Sequence, residues 1–254
     1  LIHFSHRKED DPMGKMYEEI FKIMFPGTPY AHPVLGSKET VSNTTREDFQ
    51  GYLAKFYVPN NMTAVVVGDV NADDAIMQFE QLTADWRANP EVNRNRAPVI
   101  VERRKGVRGF TLEKDVNMSY VMMAFQTSGL SDLSENAVMD VASTLLGEGK
   151  SSRLYRRIVE RDRIAASVSA FIYPLRHTGL LVISGAMDRE QVPRFRDAVL
   201  EEIQKIRSSL PEEDELKKAK SMLKADFAFG NETNSDIAGT LGYYNTFGIL
   251  DRAP

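Results

Sequence analysis

The sequence predicts an α+β protein built from two sheet-plus-helices halves, the first of them incomplete. Three observations lead there. Apolar residues recur at helical spacing through most of the chain. The few β-rich runs of the second part stand next to one another with short turns between them, which favours antiparallel pairing. Between the two parts, residues 89–106 lose apolar periodicity and are dominated by prolines and charges, as a linker would be. The expected domains are therefore residues 1–88, a linker over 89–106, and residues 107–254. The partial segregation of strands from helices places the helices on one face of a sheet.

In the first part, Pro12 suits the first turn of a helix, and Met13, Met16, Tyr17, Ile20, Phe21 and Met24 follow at helical spacing. Pro26-Gly27-Thr28-Pro29 stops it. Residues 30–44 read as a loop with a short turn at 36–41. Thr45 is an N-cap with Asp48 three residues on, and Phe49, Leu53 and Phe56 form the next stripe, with Tyr52 beside it. Pro59-Asn60-Asn61 is a turn. Residues 62–67 (Met-Thr-Ala-Val-Val-Val) read as a central strand. Asn71 or Asp73 caps a helix carrying Ile76, Phe79 and Leu82. One strand cannot make a sheet, and its backbone groups would be unpaired if buried. Residues 1–88 are thus expected to pack poorly or to take strands from elsewhere: an upstream part of the same gene, or a second chain.

The second part starts afresh. Residues 108–112 and 119–125 read as strands, 136–146 as a helix with Val138, Val141, Ala142 and Leu145 on one side, and 151–161 as a short helix. Residues 166–173 alternate as a strand does, 174–178 turn, and 180–184 return as a strand. Three amphipathic helices close the chain, marked by Val192/Phe195/Val199/Ile203/Ile206, by Leu216/Ala219/Leu223/Phe227 and by Ile237/Leu241/Tyr244.

Composition narrows the function. A net charge of −4 gives no electrostatic case for nucleic acid. No apolar run approaches the roughly 20 residues of a membrane-spanning helix. The absence of cysteine excludes disulfides, thiolate zinc sites and thiol catalysis. Seven basic residues from Arg87 to Arg108 read first as a solvated linker and second as a binding patch. His3 and His6 have i,i+3 spacing with Glu9 and Asp10 nearby, which suits either a chain terminus or two ligands of a metal. His32 and His177 fall in turns. Neither H-E-x-x-H nor H-x-x-E-H occurs, nor G-x-S-x-G. Leu146-Gly147-Glu148-Gly149-Lys150-Ser151 lacks the first glycine of a phosphate loop, since Thr144 stands there, and a helix precedes it; it reads as a helix end followed by a serine cap. The 11 methionines are spaced as core fillers. Residues 1–4 open without a methionine or signal pattern, and residues 250–254 bring no closing element, so the chain reads as a segment of a longer polypeptide.

Glu9-Asp10-Asp11-Pro12-Met13-Gly14, Phe25-Pro26-Gly27, Tyr30-Ala31-His32-Pro33-Val34-Leu35-Gly36, Thr45-Arg46-Glu47-Asp48-Phe49 and residues 58–70 come in a particular succession. Leu145-Leu146-Gly147, Ser151-Ser152-Arg153-Leu154-Tyr155 and residues 165–170 come after them. Together they resemble the pitrilysin/insulinase zinc metallopeptidases (inverzincins), in the bacterial processing-peptidase-like branch, over nearly the whole chain. The resemblance implies two homologous α+β halves that face each other like a clamshell around a chamber where peptides are degraded. It implies H-x-x-E-H on a helix of the first half and a glutamate further on as third ligand. By the register of Asp11-Pro12-Met13, that glutamate falls near residues 1–4 or just upstream. Residues 1–4 hold no carboxylate, so the ligand is cut off or replaced. An arginine and a tyrosine that many second halves supply to substrate would stand at Val159 and Ala166, and both are absent.

The resemblance thus implies zinc in the parent protein and none in this piece. No catalytic, cofactor-binding or metal-binding residue is assigned to the chain. The expected partners are a peptide or unfolded polypeptide substrate and a homologous subunit or homo-oligomer, without nucleic acid or a membrane span. The sequence leaves the compartment open; the periplasm is common among bacterial relatives, and the cytoplasm is the other location. Three readings remain: a piece of a zinc peptidase that supplies chamber wall and second half, a non-catalytic partner subunit, or a structural or assembly subunit that reuses the fold.

Overall fold

Gly179-Leu180-Leu181-Val182-Ile183-Ser184-Gly185-Ala186-Met187 is an almost unbroken apolar run, and such a run asks for cover on both faces of a sheet. The computed structural model describes residues 11–92, 98–103 and 105–252. Its strands are β1 (Ser119–Thr127), β2 (Ser167–Pro174) and β3 (Gly179–Met187). In chain order its helices are α1 (Pro12–Met24), α2 (Lys38–Asn43), α3 (Arg46–Phe56), α4 (Ala72–Leu82), α5 (Leu133–Gly147), α6 (Val192–Ser208), α7 (Glu213–Phe229) and α8 (Asn234–Phe247). The described residues form two compact units. One takes those up to Ser37 with Val99–Lys224; the other takes Lys38–Pro98 with Ala225–Pro254.

The first unit is organised by β3. The sheet order is β1-β3-β2, both pairings antiparallel, with Phe125 opposite Leu181 and Ala170 opposite Ile183. Alternation along the strands sorts the side chains between two cores. Leu181 and Ile183 join Val168, Ala170, Leu154, Ile158, Phe195 and Val199 on one face, where α5 and α6 supply cover. Leu180 and Val182 meet Ile20 and Phe25 on the other, with Tyr17, Phe21 and Met24 of α1 packed around them. Each such fully buried Leu, Ile, Val or Phe contributes on the order of 2 kcal/mol. Asp11 caps α1 by accepting from the Met13 N–H, and Pro12 fills the first turn, where a missing N–H costs nothing. Phe21 meets Tyr173 edge-on, with ring centroids 5.2 Å apart.

Helices therefore cover both faces of this sheet, not one. The apolar run of β3 is the signal for that arrangement, and the stripe on α1 is its match. Residues 151–161 differ too: Tyr155–Arg161 is a π-helical turn, with the Asp162 N–H donating to the Arg157 carbonyl at 2.9 Å. Arg163 follows in the left-handed region at φ 48°, an uncommon position for a non-glycine residue, before the chain enters β2. Residues 108–112 form no strand. They lie before β1 with Phe110 and Leu112 exposed and no ladder partner among the described residues.

In the second unit the caps fall where the sequence puts them. Thr45 and Asp48 make a reciprocal capping box, and Asn71 accepts from the Asp74 N–H at the start of α4. Residues 30–44, expected as loop, include the short α2 and the end of a 3-10 turn over Pro29–Ala31. The expected central strand at 62–67 is not one: it runs extended with no ladder partner among the described residues. Its neighbour is a helix instead, the Asn245 amide donating to the Thr63 hydroxyl at 2.9 Å. Without a sheet to cover, the stripes of α3 and α4 stay open: Phe49, Leu53, Ile76 and Phe79 are exposed and Leu82 is 85% accessible. The linker expected at 89–106 lies partly outside the described residues (93–97 and 104), and its described part has neither helix nor strand.

Candidate functional site

α5 starts at an Asp132 cap that accepts from the Glu135 N–H, buries Leu145 and Leu146 near its end, and meets β2 at Gly147. A side chain there would collide with Ala170, since a Cβ would stand 2.1 Å from its backbone nitrogen. Glycine at this point lets the end of a helix lie directly on a strand. Past it, Gly149 adopts φ 71° and turns the chain, and the Ser152 hydroxyl donates to its carbonyl at 2.8 Å. Gly149-Lys150-Ser151 is thus a turn between α5 and the π-helical turn.

The contact leaves a cleft of about 580 Å³ beside it, within the usual range of ligand pockets. Five consecutive residues of β2, Val168 to Ile172, form one wall. Asp140, Ser143, Thr144 and Glu148 from α5 and its end also line the cleft, as do Lys150, Tyr155 and Leu223. β2 pairs with β3 alone, so its other margin carries no strand among the described residues. An unpaired margin of this kind can accept an extended chain as an added strand.

Two carboxylates, Asp140 and Glu148, line the cleft. The Thr144 hydroxyl donates to Glu148 Oε2 at 3.0 Å. Burial, and then the neighbouring Glu148 charge, push the Asp140 carboxyl above its ordinary range. Behind the cleft, the π-helical turn is tied down by ion pairs. Arg153 donates to Glu215 through Nε at 2.7 Å and Nη2 at 2.5 Å, and that hydrogen bonding holds Glu215 below the usual carboxylate range. Arg157 reaches Glu202 at 2.9 Å and also bonds Glu201.

Asp140, Ser143 and Thr144 are not singled out by the sequence, whereas Gly147 to Lys150 stand in the glycine-rich stretch that reads as a helix end. Asp140, Thr144 and Glu148 do recur every four residues, which stacks them along one side of a helix. That spacing is a signal, but a solvated face carries the same one. Val159 lies in the π-helical turn against the core, and the Ala166 N–H donates to the Ala186 carbonyl at 2.8 Å where β2 begins. His32 follows the 3-10 turn and His177 sits between β2 and β3. His3, His6 and Glu9 lie outside the described residues. Among the described residues no three His, Cys, Asp or Glu side chains come together as a metal group, and the donors present do not fit a zinc site. No described helix is long and apolar enough to cross a membrane.

Fold and cleft define an α+β domain whose antiparallel sheet is covered by helices on both faces. The family described as Peptidase M16 inactive domain matches residues 43–223, and the chain belongs to that family. The resemblance to the pitrilysin/insulinase metallopeptidases is borne out, and so is the α+β class. The zinc protease PqqE of Helicobacter pylori (strain ATCC 700392 / 26695) is 27% identical over 246 residues, covering 94% of this chain and 54% of the relative. The chain thus spans about half the length of that curated relative. The crystal structure of a protease from Helicobacter pylori superposes with a TM-score of 0.87 at 23% identity, over 96% of this chain and 60% of that one. A chain of complex III2 from Candida albicans superposes with a TM-score of 0.79 at 20% identity, over 96% and 59%. At these identities the structures show a shared fold.

Proposed function

We propose that this chain is the metal-free wall of a zinc-dependent peptidase chamber. In this reading residues 1–88 and 107–254 belong to two homologous halves, and the second offers the cleft beside β2 to an extended peptide. The observation that carries it is the cleft itself, lined by five successive residues of a strand that pairs with a strand on one side only among the described residues. Main-chain pairing along such a margin supplies affinity without demanding a sequence, which suits a site that holds many peptides. The cleft contains no metal group among the described residues, and the role we assign to it is holding and orienting. Zinc would be held outside the described residues, in the parent chain or in a homologous subunit. The relative named a zinc protease supports zinc in the family.

The test is reconstitution. Alone, the chain is expected to carry no tightly held zinc and to leave a quenched fluorescent peptide intact. Mixed with a purified zinc-binding homologue, it is expected to raise chelator-sensitive turnover above that of the homologue alone. One zinc per chain together with hydrolysis by the chain alone would refute the reading. A structural or assembly role is the second reading, favoured by the fold shared with a chain of complex III2. Co-purification with a membrane complex and no peptide binding would support it instead.

A further inference from the structure

The two units do not follow the order of the chain. Ser37 and Lys38 are neighbours in sequence and lie in different units, and so do Lys224 and Ala225. Each unit therefore joins one piece from before Val99 to one piece from after Pro98. Two helices make the joints. α1 comes from the first piece and covers the sheet of the second. Its Ile20 and Phe25 share a core with Leu180 and Val182, and none of the four is more than 8% exposed. Phe21 and Tyr17 extend the contact to the rings of Tyr173 and Phe171, at 5.2 and 6.4 Å. α8 comes from the second piece and lies along residues 63–68 of the first. The Asn245 amide reaches the Thr63 hydroxyl, a Cβ on Gly242 would stand 3.8 Å from Val65, and a Cβ on Gly68 would stand 3.4 Å from Asn234. Contacts that advance along one segment recede along the other, so the two run antiparallel.

The two helices also match. Each starts at a side-chain cap, Asp11 or Thr233, and each runs into a phenylalanine, Phe25 or Phe247. A left-handed glycine follows in both, Gly27 at φ 74° and Gly248 at φ 73°. Nine residues past its cap, α1 sets Ile20 on β3; nine residues past its cap, α8 sets Gly242 beside Val65. We infer that the pieces on the two sides of Pro98 are each other's binding partner: each covers the other with a helix, and these two clasps, not the linker, hold the chain together. Such an exchange of like elements is what domain swapping does between two chains. Burial of the α1 stripe supplies the larger part of the attachment. Residues 62–67, for which the sequence predicts a strand, are met by a helix from the other end of the chain. The inference rests on packing alone and stands apart from the peptide-holding reading.

A site for a sequence-specific protease, inserted between Pro98 and Val99 of the whole chain, tests it. After cleavage the two pieces are expected to elute as one particle at about 1 μM chain, since interfaces of ordinary size bind at micromolar strength or better, and to part only in urea. Ile20→Asp sets a carboxylate against Leu180 and Val182, and is expected to weaken the cut complex at least about tenfold. Val34→Asp, at a fully exposed position, is expected to leave it unchanged. The chain has no cysteine, so Thr63→Cys combined with Asn245→Cys reads the second clasp without background. Oxidised and then cut, that variant is expected to run as one band on a denaturing gel and as two after reduction. Pieces of the unaltered sequence that separate in native buffer overturn the inference, whether or not the uncut chain binds peptides. So does an Ile20→Asp complex as tight as the parent, or a cysteine pair that fails to join in a chain folded by circular dichroism.

Discussion

Gly147→Val is expected to unfold the sheet unit under conditions where the parent chain is folded. The first carbon added at this position stands 2.1 Å from the Ala170 nitrogen, 2.4 Å from its Cβ and 2.8 Å from its Cα. All three belong to β2, which is tied to β3 by its ladder, so nothing flexible can move aside. Relief requires α5 to lift from the strand, which opens the core around Leu146 and closes or distorts the cleft. Overpacking against backbone of this kind costs at least about 3 kcal/mol. Because the first carbon already collides, Gly147→Ala is expected to lose most of the same stability. Gly51, in α3, is the control: nothing lies within 4 Å of its added Cβ, and alanine there is expected to gain about 0.5–1 kcal/mol from helix propensity. Urea unfolding followed by circular dichroism measures all three. If Gly147→Ala unfolds at the same urea concentration as the parent, the contact of α5 with β2 is wrong.

Arg157→Ala comes second in size. Arg157 is 14% exposed at its side chain and links the π-helical turn to α6 through Glu201 and Glu202. Glu202 is 5% exposed, so losing Arg157 leaves a buried carboxylate with Lys205 alone. Removing one partner of such a pair costs about 2–3 kcal/mol here, below the full range because Lys205 remains. Arg157→Met restores packing around the stem but not the charge, so most of the loss persists. Replacing both partners, Arg157→Met with Glu202→Leu, is expected to come back close to the parent. The pH dependence gives a further check. Burial pushes the Glu202 carboxyl up, and hydrogen bonds from Lys205 and Arg157 bring it below its ordinary value on balance. A depressed native pKa stabilises the fold above the unfolded carboxylate range, and that contribution is lost as pH falls through the native value. The gap between parent and Arg157→Ala is therefore expected to be widest at neutral pH and to narrow under acid. A gap that widens in acid would contradict the assignment.

Local patterns were legible in the chain. The caps at Thr45 and Asn71, the alternation of β2, the apolar β3 and the stripes of α6 to α8 all arise from spacing and cap chemistry, which act over a few residues; in α5 the expected stripe fails at Val138, which is 64% exposed. Pairing was not legible, because it depends on what lies alongside. Residues 62–67 have every β-forming feature, yet a strand needs a ladder, and none among the described residues reaches them. Residues 108–112 fail for the same reason. The destination of α1 was missed although both halves of the signal were present, since an apolar stripe says that a helix packs and not on what. The cleft depends on Gly147 meeting Ala170, residues joined only by the folded sheet. Asp140 carries no mark of its own in the sequence, and Glu148 stands there only within the turn after a helix.

Amide hydrogen exchange across β2 tests most directly whether this domain holds peptides on a strand margin. With a β-prone peptide in excess, exchange is expected to slow over Ser167–Pro174 and to stay unchanged along the outer margin of β1. Peptide binding without any slowing in β2, or with protection confined to β1, would contradict the account.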